Sequence, residues 1–313
     1  MSCIGRLSPM GVRLAYTRIE PGDAMKRSFI VTIAIALGLI VGCGSGTESG
    51  ASRPPAVIPP PEQLILPGTL TIAADFQGPP FDYYEGTEPR GFDVEFDRAV
   101  ADLMGLKVKL VDGRFASLVT GLEAGRYDAV ISVLYITAER AKKIDLVPYA
   151  QTGSGFLVKK NGAFQPRRPE DLCGHTVAVL AGGFEEQLIT TGELGKQCRD
   201  TSKPLKAKSF PSDVEATRDV ADGRSEAFFS NHSIVLHRAK QVASFGLTTS
   251  NASPLYPVPA GIGVRKDRPD VRRAFESAVE HLHKSGELKK LLDKYGLEPP
   301  DPELVQKALA GNT

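Results

Sequence analysis

The sequence has no surplus of either charge: 38 Lys and Arg stand against 37 Asp and Glu in 313 residues. It also lacks a basic stripe with interleaved aromatics, so nucleic acid is not an expected partner. Tryptophan is absent. Long apolar runs are nearly absent too. The one prominent run, Phe29 to Val41, is shorter than the ~20 residues of a bilayer-spanning helix. We find no Ser-His-Asp arrangement, no metal cluster and no phosphate-cradling glycine loop. Neither a cofactor nor a metal is therefore expected. His281 and His283 are two apart and do not share a helix face.

That apolar run points to export. Lys26 and Arg27 precede it and Gly42-Cys43 closes it. A positive region, an apolar core and a small-residue site form the pattern of a secretory signal. Leu39 to Cys43 looks like a bacterial lipobox, in which Cys43 is acylated and becomes the new N-terminus. The rival reading is a single membrane anchor with an incidental cysteine. Met25 is a better start than Met1, and the first 24 residues are not expected to fold. Cys173 and Cys198 remain as an even pair in an oxidising compartment. A disulfide there would stabilise by roughly 3–4 kcal/mol. The alternative is a metal site using Cys173, His175 and Cys198.

Residues 44–67 are rich in Gly, Ser and Pro and read as an extended tether. Beyond Gly68 the pattern alternates. Strands are expected at Leu70–Ala74, Val108–Val111 and Tyr127–Val133, with helices at Phe92–Leu103, Phe115–Ala124 and from Thr137. A second α/β set follows, with strands at Thr176–Leu180, Lys206–Phe210, Glu226–Ser230 and Gly261–Val264. Its helices are Phe184–Gly192, Asp213–Asp222 and Ile234–Gln241. Helices from Pro269 and over Leu288–Tyr295 come next, and residues 299–313 read as a loosely held tail. The expected class is α/β with parallel sheets in two lobes around a cleft. Open parallel sheets place ligands at the carboxyl ends of strands, and Asp75, Ser132 and Asn231 fall there.

Several motifs then carry a resemblance: Gly91-Phe92-Asp93-Val94-Glu95, Gly125-Arg126-Tyr127-Asp128-Ala129, Thr137-Ala138-Glu139-Arg140-Ala141-Lys142, Pro148-Tyr149, Asp171 to Val179, and Gly261 to Lys266. In this order the chain resembles the extracytoplasmic solute-binding proteins, family 3, which feed ABC transporters for polar amino acids. The resemblance implies a type II periplasmic-binding fold. Lobe one would be residues 68–156 and 260–298, and lobe two 157–259. The lobes would be joined near Gly153–Leu157 and Tyr256–Gly261 and would close on ligand as a hinge. It implies an ABC permease partner and a monomer held to a membrane through the lipid at Cys43, in the periplasm or outside the cell.

The resemblance makes Arg140 the anchor of a ligand carboxylate, since a guanidinium can make two parallel hydrogen bonds to it. The plainer reading is a surface Arg paired with Glu139 or Asp145. Thr137 would assist Arg140. Gly183 and Phe184, in a turn opening a helix, would bring backbone N–H groups to the same carboxylate. Asp75 and Ser132 would face the ligand, or else serve as a turn former and a buried hydrogen-bonding group. Four departures suggest a remodelled pocket. Asn231 stands where the family usually has an Asp for the ligand ammonium. Gly78 replaces a stacking aromatic, Gly183-Phe184 replaces threonines, and Tyr135 replaces a small hydroxyl residue. Phe81, Tyr135 and Phe184 would then enclose the ligand, unless Phe81 and Tyr135 are core packing. The expected ligand is a small carboxylate that need not be a standard α-amino acid.

Two rivals have different signatures. A dehydratase-type enzyme on the same fold would need acid or base groups in the cleft. A sensor module would continue into a membrane helix and a signalling domain, which the sequence does not show. Asn251-Ala252-Ser253 matches a glycosylation sequon and is read as chance.

Overall fold

The computed structural model describes residues 55–311. Cys43, the export segment over residues 1–43 and the tether as far as residue 54 lie outside the described residues.

The first part of the fold opens with β1 (Thr69–Ala74) and a small meander of β2 (Gln77–Gly78), β3 (Asp82–Glu85) and β4 (Glu88–Arg90). Then come α1 (Phe92–Leu103), β5 (Lys107–Asp112), α2 (Phe115–Glu123), β6 (Ala129–Val130), α3 (Ala138–Lys143) and the 16-residue β7 (Ile144–Lys159). The second part holds β8 (Thr176–Leu180), α4 (Phe184–Thr190), α5 (Glu193–Asp200), β9 (Lys206–Phe210), α6 (Asp213–Ala221), β10 (Ala227–Asn231), α7 (His232–Gln241) and β11 (Leu247–Thr249). The chain returns through β12 (Leu255–Arg265) to α8 (Pro269–Ser285), α9 (Glu287–Tyr295) and α10 (Pro302–Ala310).

The main sheet has nine strands, ordered β5-β1-β6-β12-β7-β10-β8-β9, with β11 also on β7. Pairing is parallel within each outer half: β1 with β5 and β6, and β8 with β9 and β10. It is antiparallel in the middle, where β7 meets β12, β10 and β11. The long strand β7 thus belongs to both halves, and the expected pair of parallel sheets becomes one mixed sheet in two lobes. The register of β12 on β7 breaks between Leu255 and Val258 and again between Ala260 and Gly261. Tyr256, inside the first break, has φ +47.

Periodicity explains the helices. In α1, Phe92, Phe96 and Val100 share one fully buried face. Phe92 and Phe96 pack against Tyr149 of β7 with ring centroids 5.8 and 4.8 Å apart. Burying a side chain of that size stabilises by roughly 2–3 kcal/mol. Ser212 caps α6 and Thr137 caps α3, each accepting a backbone N–H.

Three expectations change. The strand expected over Tyr127–Val133 pairs only at Ala129 and Val130, because the chain then leaves the sheet toward the inter-lobe space. The end of the tether is fixed: Val57 and Ile58 donate to the Leu103 carbonyl, and Ile58 is buried. The loosely held tail contains a helix. Asp301 caps α10, Pro302 opens it and Gly311 ends it at φ +78. It packs on β12 and α3, and Gln151 of β7 exchanges backbone hydrogen bonds with Glu298 just before it.

Cys173 and Cys198 are disulfide-bonded, which removes both thiols from any metal site. His175 instead stacks on Phe164 and bonds Glu226. Among the described residues no group of three or more His, Cys, Asp or Glu could hold a metal. None of their helices is long and apolar enough to cross a membrane.

Candidate functional site

A cavity opens between the two halves at the carboxyl ends of β1, β8 and β10. Asp75, Ser132, Tyr135 and Arg140 line it from one side, and Leu180, Gly183, Phe184, Glu185, Asp213 and Asn231 from the other. Its atom-free space, mouth included, is about 570 Å³, within the range of small-molecule sites. The halves touch beside it. Gly182, at φ +74, sits so close to Ala116 of α2 that a Cβ would lie 2.9 Å from the Ala116 Cα.

Arg140 spans the two halves. Its Nη1 donates to the Tyr135 carbonyl at 2.7 Å and its Nη2 to the Gly182 carbonyl at 3.0 Å. The Phe115 ring lies 5.4 Å from the guanidinium carbon. Burial pulls the guanidinium pKa down to about 10, against the carboxylate of Glu185, so it remains a cation at neutral pH. The surface pairings are made elsewhere: Glu139 binds Lys142, and Asp145 lies beside Lys266 and Arg272. Thr137 is off the cavity wall. Its hydroxyl accepts the Arg140 N–H at 3.2 Å and so sets the start of α3.

Asp75 and Ser132 line the cavity but are tied into the chain. Asp75 accepts from the N–H groups of Gln77 and Phe115 and pairs with Arg114 at 2.9 Å. The Ser132 hydroxyl accepts from Asp75 N–H and donates to Asp82 at 3.0 Å. Burial, reinforced by Asp93 and Asp97, pushes Asp82 well above the usual carboxylate range. Asp93 accepts from Tyr149 Oη at 2.6 Å and from Val133 N–H at 2.9 Å. That grip holds Val133 at φ +43, a conformation costly for a β-branched residue.

The aromatic wall forms with a different division of labour. Tyr135 and Phe184 pack edge to face at 5.5 Å. Phe81 lines the cavity and packs edge-on against Phe92, so it is wall and core at once. Tyr135 Oη donates to the Gly153 carbonyl and accepts from Asn231 Nδ2 at 2.7 Å. The Asn231 carbonyl oxygen accepts from Ser233 and Ile234 as the cap of α7. Asn231 thus reaches the wall with its polar atoms already partnered. The same holds for the turn before α4: Gly182 N–H donates to Glu186 and Gly183 N–H to the Leu180 carbonyl.

Four lining residues carry chemistry that sequence reasoning passed over. Phe115 lies under Arg140. Asp82 relays between Ser132 and Asp93. Glu185 is buried, accepts from Ser154 at 2.6 Å, and is raised by burial while Ser154 and Arg140 oppose the rise. Asp213 is buried at the start of α6, and burial raises it to about 7 although Arg238 opposes this. Acidic residues in first helical turns are ordinary, so nothing in the local pattern separated these two from structural ones.

Comparison with known proteins places this geometry. The chain is 26% identical to a probable amino-acid-binding protein, YxeM, of Bacillus subtilis strain 168, over 87% of this chain and 95% of that one. An ancestral arginine-binding protein solved with arginine superimposes with a TM-score of 0.66 at 29% identity, covering 73% of this chain and 98% of that one. An ancestral amino-acid-binding protein that is a precursor of cyclohexadienyl dehydratase gives 0.60 at 27%, covering 73% and 95%. Residues 70–298 match the family model of the bacterial extracellular solute-binding proteins, family 3. A match of that extent, over both halves and the strands they share, means that this chain belongs to the bacterial extracellular solute-binding proteins, family 3.

Proposed function

We propose that the protein captures an amino acid between its two halves and delivers it to the permease of an ABC importer. Arg140 is the anchor, and Asp75, Ser132, Tyr135, Phe81, Gly183 and Phe184 shape the wall around the solute. The observation that carries this reading is the Arg140 guanidinium inside the inter-lobe cavity, touching both halves through Tyr135 and Gly182. A carboxylate binding there gains charge-assisted hydrogen bonds and meets both halves together. A ligand with more contacts in the closed form shifts the equilibrium toward closure. Thr137 and Asn231 act by positioning, the first through α3 and the second through Tyr135 and α7.

We read the protein as a binder without turnover, as a monomer, and as anchored outside the cytoplasm through a lipid on Cys43 after removal of the export segment. The likeness to a dehydratase precursor does not alter this reading, because that precursor is itself described as an amino-acid-binding protein. Isothermal titration of an amino-acid panel tests capture: wild type binds at least one member, and the Arg140→Ala variant does not at the same concentrations. Mass spectrometry of each ligand after incubation, with no product formed, tests the absence of turnover. Intact mass of the membrane fraction, with Cys43→Ser as control, tests the lipid.

A further inference from the structure

Asp213 is a buried acid on the second half's wall of the cavity. It is 3% exposed, and its Oδ1 has no hydrogen-bond partner among the described residues. Asp75 has Arg114 and two N–H donors and Glu185 has Ser154, while Asp82 accepts from Ser132 through Oδ2 and has, like Asp213, a buried Oδ1 without a partner among the described residues. An unpartnered buried carboxylate oxygen is costly, and this one belongs to a cavity wall. Gly78 clears the space before it. A Cβ at Gly78 would lie 3.8 Å from Asp213 Oδ2 and 3.6 Å from Ile234 Cδ1, so any larger side chain would fill that volume.

The charges also fall in an order. Arg140 interacts with Glu185 and Tyr135. Asp213 interacts with Arg238, Asp75 and Glu185. Glu185 is common to both sets, and Arg140 and Asp213 are in neither set together. The sequence cation, anion, anion along the cavity mirrors a solute with a carboxylate, an adjacent ammonium and a more distant cation.

We propose that the solute is an amino acid with a second positive charge on its side chain, an amine or a guanidine, and that Asp213 is the residue that selects it. This rests on the reading of Arg140 as the carboxylate anchor. Glu185 then faces the α-ammonium, in place of the acid that Asn231 does not supply, and Asp213 faces the distal cation. The titration of Asp213 gives a second handle. Its neighbours from the packed elements are Asp75 at the end of β1, Glu185 on α4 and Arg238 on α7, and only Arg238 favours the ionised form. With burial holding it at about 7, a cation binds best above that pH and more weakly as the pH falls through it. The expected loss between pH 8 and pH 6 is about tenfold.

The test is isothermal titration of the folded protein with two matched pairs: lysine against norleucine, and arginine against citrulline. Each pair differs in the distal charge while its size is nearly constant. Wild type is expected to prefer the charged member of at least one pair by roughly 30-fold or more. In Asp213→Asn that preference collapses, and in wild type it shrinks from pH 8 to pH 6. Equal affinity for charged and neutral members overturns this inference and leaves amino-acid capture standing. So does a preference that survives Asp213→Asn. If no amino acid binds wild type, the capture reading fails as well. The pH series on wild type keeps the test valid should Asp213→Asn not fold.

Discussion

On the wall from the first half, Ser132 donates to Asp82, and the neighbouring Asp93 accepts from Tyr149 and from the Val133 N–H. On the wall from the second half, Glu185 and Asp213 stand in the first turns of two helices, and Asp213 Oδ1 has no hydrogen-bond partner among the described residues. The first arrangement fixes a backbone: it keeps Val133 in a strained conformation and delivers Tyr135 and α3 in a set direction. The second presents charge to whatever enters. A mobile binding site needs both, because pre-organisation lowers the cost of capture while selectivity needs groups that are satisfied only by the right solute.

Removing the side chain that joins the two walls has the largest expected effect. Arg140→Ala should weaken solute binding about 10³-fold, or about 4 kcal/mol, measured by isothermal titration. An unchanged affinity would show that the halves are not joined through this group. Next comes a change confined to the second half. The disulfide closes a loop between residues 25 apart. The double variant Cys173→Ser, Cys198→Ser should lose about 3–4 kcal/mol in urea unfolding. Neither cysteine lines the cavity, so affinity at low temperature should change little; a large loss of affinity would mean that the second half is less self-contained than its sheet implies.

Smaller effects sharpen the contrast. Gly182→Ala places a Cβ against Ala116 at a left-handed backbone position. We expect roughly tenfold weaker binding, about 1.4 kcal/mol, and a larger radius of gyration with solute present in small-angle scattering. The smallest change is Asp82→Asn, which retains a partner for Ser132. Burial raises the neighbouring acids Asp82 and Asp93, the latter to about 6. Their contribution is fully present below the unfolded carboxylate pKa of about 4 and is lost as pH rises through the raised values. Wild type should therefore lose more melting temperature from pH 5 to pH 8 than Asp82→Asn does. Equal losses would mean that the buried acids of the first half do not titrate as a group.

Sequence reasoning reached the elements through their own periodicity. Thr176–Leu180, Lys206–Phe210 and Phe92–Leu103 appear within the bounds expected of them, because alternating or helical spacing reports on a single element and its buried face. Parity and compartment paired Cys173 with Cys198. The motif around Arg140 singled out a side chain that does line the cavity. The reading of Asn231 as a ligand-facing residue did not anticipate its cap role, since capping depends on a helix beginning at the next residue. The helix after Pro299 was missed although Asp301, Pro302 and Gly311 mark its ends. Its apolar face is short, and only packing on β12 and α3 makes it worth forming.

Sequence alone therefore determined most of the parallel strands and the helices between them, the family and the one cation to watch, since each is written in residues close together along the chain; it missed the long β7 and the helices α5 and α10. Only the tertiary structure decided the charge of the cavity. Asp75, Asp82, Glu185 and Asp213 come from four separate segments, and their protonation depends on burial and on one another. Solvation and Coulomb energies are set by distances in space, and those follow from how β7 and β12 carry the chain between the halves.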